Sequence, residues 1–133
     1  MEERILVVDD EKDICDILQF NLEKEGYIVD VAFSAEEAEE KLTDVHQLII
    51  LDVMMEGISG FKFAEKLRKK EIRIPIIFLT AKNTENDVLK GFSLGGDDYI
   101  AKPFSVKEVL ARVKALLKRA QLASPPLETK WVY

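Results

Sequence analysis

The chain reads as an α/β domain, a five-stranded parallel sheet wound on both faces by five helices, and three observations predict this architecture. Five short apolar runs rich in β-branched residues recur at 5–8, 27–31, 48–51, 74–79 and 99–101. Segments with helical spacing lie between them and after the last, and this alternation calls for parallel strands joined by right-handed crossovers. Three of the runs also end in charge: Ile5-Leu6-Val7-Val8 in Asp9-Asp10, Leu48-Ile49-Ile50-Leu51 in Asp52, and Tyr99-Ile100-Ala101 in Lys102.

Taken in order, the first run leads into a helix whose apolar face is Ile14, Ile17, Leu18 and Leu22, and Gly26 follows where a left-handed cap would stop it. After the second run, Ser34 with Glu37 three residues on forms a capping box that opens a helix carrying Ala35, Ala38 and Leu42. The third run is followed by Phe61, Ala64 and Leu67 at helical spacing. Pro75 stands at the start of the fourth run, where a missing ladder donor is tolerated. Val88, Leu89 and Phe92 mark a fourth helix, which Gly95-Gly96 ends before the fifth strand. A second capping box, Ser105 with Glu108, opens the last helix, with Val106, Val109, Leu110, Val113 and Leu117 on one face. Past Ala120 the periodicity lapses, and Ser124-Pro125-Pro126 favours an extended connector.

Composition narrows the function. With 133 residues, 47% apolar and 33% charged, the chain suits one globular domain rather than a disordered segment. A net charge of -6 disfavours nonspecific binding to nucleic acid. The start, Met1-Glu2-Glu3-Arg4, lacks the order of a signal peptide, and no run has the length of a membrane span, so a cytoplasmic location without membrane association is expected. The single cysteine, Cys15, excludes an internal disulfide and reads as a packing residue of the first helix. His46, the only histidine, is expected at the surface or a strand edge, since it cannot form a histidine-based metal site alone.

In a doubly wound sheet the site lies beyond the carboxyl ends of the strands. Asp9, Asp10 and Asp52 all fall there, and three crowded carboxylates repel one another unless a divalent cation joins them. Hard oxygen ligands on a small, partly open site suit Mg²⁺. Thr80 closes the fourth run at the same edge, where its hydroxyl is placed to bond a phosphoryl oxygen. Lys102 precedes Pro103, and an X-Pro bond there can be cis and aim the lysine into the acidic pocket.

These residues together resemble the receiver domain of two-component response regulators. The marks are Val7-Val8-Asp9-Asp10-Glu11, Asp52-Val53-Met54-Met55, Leu79-Thr80-Ala81, and Gly96-Asp97-Asp98-Tyr99 leading into Lys102-Pro103-Phe104. The resemblance implies a CheY-like, flavodoxin-like fold with strand order 2-1-3-4-5. It implies that Asp52 accepts a phosphoryl group from a phosphohistidine of a sensor kinase, with Asp10 ligating Mg²⁺ directly, Asp9 through water, and the Val53 carbonyl completing the protein's share. It further implies that Lys102, Thr80 and the amide of Ala81 hold the phosphoryl oxygens, and that Thr80 and Tyr99 form the switch that reports phosphorylation. Such a domain is a signalling switch rather than an enzyme, catalysing only its own phosphoryl transfer and dephosphorylation. A Mg²⁺-dependent phosphohydrolase with an aspartate nucleophile is the rival class, but it resembles Asp-x-Asp after a first strand, whereas Asp52 follows the third.

Within that family the segments 95–104 and 108–113 look like the OmpR/PhoB class. This implies a homodimer, formed on phosphorylation through the fourth helix, fifth strand and fifth helix, in which Lys90, Asp97, Asp98, Glu108, Arg112 and Arg119 pair across a twofold axis. The expected division is a receiver domain over 1–121 and a linker or tail over 122–133. DNA would then be reached only through a winged-helix domain that this chain does not contain. One departure stands out: Glu56 replaces the proline that many receivers carry after Met55. Met54 and Lys82 occupy positions where the family tunes the lifetime of the aspartyl phosphate.

Overall fold

The computed structural model describes residues 3–55, 57–81 and 97–123, the last three as backbone only. In chain order the elements are β1 Arg4–Val8, α1 Lys12–Lys24, β2 Ile28–Ala32, α2 Ala35–Lys41, β3 His46–Asp52, α3 Gly60–Lys69, β4 Ile76–Thr80, β5 Asp98–Ala101 and α4 Val106–Ala123. The five strands form one parallel sheet in the order β2-β1-β3-β4-β5. The helix expected around Val88, with Gly95-Gly96, lies outside the described residues, so α4 is the last of the expected helices.

Strand pleat explains why the apolar runs are unbroken. Ile5 and Val7, Leu48 and Ile50, and Ile77 and Leu79 point to one face, where they pack with Cys15, Leu18 and Leu22 of α1 and Val109, Val113, Leu116 and Leu117 of α4. Their neighbours Leu6 and Val8, Ile49 and Leu51, and Ile76 and Phe78 point to the other face, against Ala35 and Ala38 of α2 and Phe61, Phe63, Ala64 and Leu67 of α3. The apolar residues of these strands are therefore buried whichever way they point, which selects continuous hydrophobicity over alternation. Cys15 is 1% exposed and packs in this core, as expected.

Several boundaries shift for identifiable reasons. β3 begins at His46, two residues before its apolar run, because polar His46 and Gln47 continue the strand. β4 starts after Pro75, whose carbonyl accepts the Ile49 amide at 3.0 Å. α4 continues to Ala123, past the Ala120 at which periodicity fades. His46 is not at the surface: it is 7% exposed, with Nδ1 accepting the Thr43 amide at 3.1 Å and Nε2 2.7 Å from Asp30 Oδ2. Since Nδ1 accepts, Nε2 carries the proton and donates to Asp30. Arg4 completes the group at 2.9 Å from the same Asp30 oxygen and, with His46, outweighs burial to hold the carboxyl below its ordinary range.

The helix ends match their sequence signals. Ser34 accepts the Glu37 amide at 3.0 Å, and Glu37 reaches back to the Phe33 amide at 2.7 Å. Ser105 accepts the Glu108 amide at 3.4 Å, and a cap at Ser59 accepts that of Lys62 at 3.2 Å. α1 ends in a Schellman motif, with Tyr27 N–H bonding Leu22 carbonyl and Gly26 N–H bonding Glu23 carbonyl. α3 ends in the same way, Ile72 to Leu67 and Glu71 to Arg68, but where α1 has Gly26 at φ 98° it has Glu71 at φ 62°. A side chain in the left-handed region costs roughly 1 kcal/mol. Glu71→Gly is therefore expected to raise unfolding stability by about 0.5–1 kcal/mol, after the added chain entropy of glycine. Chemical denaturation of the two proteins checks this, and an unchanged or lowered midpoint would refute it.

Candidate functional site: an acidic pocket around Lys102

Chain order reverses between β1 and β3, since β2 lies outside β1 while β3 lies inside it. Val8 pairs with Leu51, so the next residues, Asp9 just past β1 and Asp52 at the end of β3, stand side by side at the carboxyl edge of the sheet. Asp9 is fully buried. Its amide donates to Ala32 carbonyl at 3.1 Å, and its Oδ1 accepts the Glu11 amide at 2.9 Å. Asp52, 1% exposed, accepts the Met54 amide at 3.3 Å. Asp10 is exposed, and carboxylate oxygens of Asp9, Asp10 and Asp52 lie within 4.8 Å of one another.

Lys102 enters this group from β5. Its amide donates to Thr80 carbonyl at 2.9 Å, and the Lys102-Pro103 bond is cis. Its Nζ lies 3.0 Å from Asp9 Oδ2, 3.1 Å from Glu11 Oε1 and 3.3 Å from Asp52 Oδ1. The contact with Asp9 Oδ2 is an ion pair off the hydrogen-bond direction, and that buried oxygen makes no hydrogen bond. Thr80 ends β4 fully buried, and Ala81 next to it is exposed. Tyr99 is half-buried in β5, its ring tilted 6.4 Å from that of Phe78.

Burial sets the electrostatics. It pushes the Asp52 carboxyl up to about 6, and the neighbouring Asp9 charge adds to this against the pull of Lys102. Asp9 is raised too, by burial, despite the Glu11 amide and Lys102. Burial alone would lower Lys102, but its contacts with Asp9, Asp52 and Glu11 hold it up at about 12. The pocket thus carries more negative charge than one ammonium neutralises. Three carboxylates with an orphaned buried oxygen form a hard-oxygen donor set that fits a small divalent cation. Cys15 donates its thiol to Asp9 carbonyl at 3.2 Å and is pushed up to about 12 by burial and by Asp9, so it stays protonated.

Two contributors escape a sequence reading. Glu11 reaches Lys102 across 91 residues, and nothing local marks it beyond its place after the acidic pair. Gly60 opens α3 against the end of β3: a Cβ there would lie 2.2 Å from the Asp52 carbonyl oxygen. A glycine directly after a Ser cap is the one signal that could have flagged it. Its amide donates to Val53 carbonyl at 3.0 Å, which occupies one lone pair of the carbonyl named for the metal. Of the residues named for the dimer, Arg112 pairs within the chain with Asp98 at 2.6 Å and Glu108 at 3.3 Å. Asp97 accepts the Ile76 amide at 3.1 Å and lies 3.9 Å from Arg119. Lys90, Glu56 and Lys82 lie outside the described residues.

A raised Asp52 has a definite sign for stability. Between its ordinary 3.8 and about 6 the folded state holds more proton than the unfolded chain, so stability falls as pH rises through that window. Asp52→Asn removes the penalty. Each tenfold rise in a group's proton affinity on folding costs about 1.4 kcal/mol once the group is ionised. After allowing for the lost Lys102 contact, the variant in a chelator at pH 7 is expected to be more stable than the parent by roughly 1–2 kcal/mol. Thermal melts against pH should show the difference closing below about pH 4; a variant less stable than its parent at pH 7 would contradict this account.

Comparison with known proteins agrees with this geometry. The family model of the response regulator receiver domain matches residues 5–114. The alkaline phosphatase synthesis transcriptional regulatory protein PhoP of Bacillus subtilis (strain 168) is 48% identical over 131 residues, 98% of this chain and 55% of that protein. The chain thus spans about half the length of this curated relative. The non-phosphorylated HemR receiver domain from Leptospira biflexa matches with a TM-score of 0.85 at 34% identity, over 94% of this chain and 98% of that one. DrrB, described as a Thermotoga maritima OmpR/PhoB homolog, matches with a TM-score of 0.82 at 32% identity, over 90% of this chain and 54% of that one. Among the described residues, no helix is long and apolar enough to cross a membrane. With its 2-1-3-4-5 sheet, its acidic pocket and a family match over most of its length, the chain belongs to the receiver domains of two-component response regulators.

Proposed function

We propose that this receiver takes a phosphoryl group from a sensor histidine kinase onto Asp52 and uses it to control dimerisation and, through it, transcription. The observation that carries the reading is the seating of a buried carboxylate, Asp52, within 3.3 Å of Lys102 and beside Asp9 and Asp10. A carboxylate oxygen of Asp52 forms the bond to phosphorus as the P–N bond to the kinase imidazole breaks, and the imidazole keeps the electron pair and takes a proton. Asp52 must be ionised to attack, and a carboxyl held near 6 is mostly ionised at neutral pH. Lys102 Nζ, the Thr80 hydroxyl and the Ala81 amide hold the phosphoryl oxygens. Positioned charge of this kind supplies most of the catalysis in phosphoryl transfer. Asp10 directly, Asp9 through water and the Val53 carbonyl would hold Mg²⁺ beside Asp52, and the ion would offset the charge of the transferring group.

The modified Asp52 carries strong acceptors at the end of β3, and Thr80 on β4 and Tyr99 on β5 are the elements proposed to respond. Lys102 and Thr80 are joined through a backbone bond at 2.9 Å, so a change at one reaches the other directly. The ionic residues Asp97 before β5, Asp98 on β5, and Glu108, Arg112 and Arg119 on α4 are proposed to exchange partners within the chain for partners in a second copy, where Lys90 is proposed to join them. A kinase donor and a DNA target place this traffic in the cytoplasm. The name of the Bacillus relative, a transcriptional regulatory protein, supports the output, with DNA bound by a domain outside this chain.

Incubation with Mg²⁺ and acetyl phosphate should add one phosphoryl group per chain in intact-mass spectra, and Asp52→Asn should abolish the adduct. Steady release of phosphate by multiple turnover without an adduct would instead identify a phosphohydrolase. Light scattering at matched concentrations should show the mass double in the presence of acetyl phosphate and Mg²⁺. An unchanged mass alongside a full adduct would overturn the dimer.

A further inference from the structure

Three carboxylates surround the Lys102 ammonium, and they are not equivalent. Asp9 and Asp52 are buried, and both approach Nζ as ion pairs. Glu11, at the cap position of α1, has a side chain 62% exposed, yet it is the one that takes a hydrogen bond from Nζ, at 3.1 Å. Nothing in α1 explains the contact, since the Glu11 side chain makes no capping bond to the helix it precedes. The best-directed donor of Lys102 is therefore spent on a group that solvent serves equally well.

An ammonium has three N–H donors, and three carboxylate oxygens lie within 3.3 Å of this one. A phosphoryl oxygen arriving at Asp52 needs a directed donor, and the directed bond it competes with is the one from Nζ to Glu11. Asp9 would lose a charge partner where water does not reach, a costly exchange, whereas Asp52 keeps Lys102 through the phosphoryl oxygens it then carries. Glu11 can turn into solvent at little cost.

We propose that Glu11 is a positioning residue that engages an N–H of Lys102 beside the acceptor in the unmodified domain and yields it to the phosphoryl group. This rests on the reading of Asp52 as phosphoacceptor. It makes Glu11 a competitor of the incoming group, so Glu11 sets how readily the active form is reached without touching the reacting atoms.

The test is titration of Glu11→Gln with fluoroberyllate in excess Mg²⁺ by calorimetry, alongside the parent and Asp13→Asn. The control removes the same charge from the exposed first turn of α1, at a residue outside the group around Lys102. Glu11→Gln is expected to bind about two- to fivefold tighter than the parent, the range an exposed ion pair supports, with Asp13→Asn close to the parent. The Lys102 side-chain NMR resonances of the free domain should move in Glu11→Gln and not in Asp13→Asn, which a merely structural role would not produce. Equal or weaker binding by Glu11→Gln, or equal tightening in both variants, overturns the role of Glu11 while leaving the acceptor reading intact. Absence of fluoroberyllate binding by the parent overturns both.

Discussion

Burying two carboxylates side by side at the end of adjoining strands is the costly act around which this domain is organised. Asp9 and Asp52 stand where β1 and β3 stop pairing, out of water and close enough to resist joint ionisation. One ammonium, threaded in from the far side of the sheet, makes the arrangement tenable. Removing the ammonium from such a group leaves buried charge uncompensated, so Lys102 is part of what holds the fold, whatever chemistry it also serves. The topology is what brings these three together: only with β3 beside β1, and β4 and β5 following outward, do chain positions 9, 52 and 102 meet.

That meeting was readable in outline because the chemistry sits at strand ends and the strands are apolar runs. Unbroken runs such as Leu48-Ile49-Ile50-Leu51 signal strands covered on both faces, and their alternate side chains do divide between two cores. Polar continuations hid where strands begin: His46 and Gln47 belong to β3 because of what they bond, which hydropathy does not record. Long-range pairings were likewise hidden. Glu11 and Lys102 lie 91 positions apart, and only the folded sheet reveals that they touch. Gly60 was invisible for another reason, since its contribution is the atom it lacks. The charged residues on β5 and α4 could be picked out as a set, but which partner each takes depends on geometry no pattern contains.

Connection between the pocket and the rest of the molecule runs along short covalent and hydrogen-bonded paths. Lys102 is the residue after β5, its amide is tied to Thr80 at the end of β4, and Tyr99 lies three residues back on the same strand, against Phe78. Asp98 begins that strand and pairs with Arg112 on α4. A displacement of the Lys102 ammonium therefore acts on a strand whose opposite end anchors the ionic surface.

The arrangement at His46 bears on where the donor of the proposed phosphoryl transfer lies. It is the only histidine in the chain, and both ring nitrogens are engaged, one by the Thr43 amide and the other by Asp30. It also begins the strand that Asp52 ends, so roughly 20 Å of extended backbone separates the two. Imidazole chemistry is thereby kept out of reach of the acidic pocket. On the proposed reading, the phosphohistidine that serves Asp52 is therefore supplied from outside this domain, not by His46.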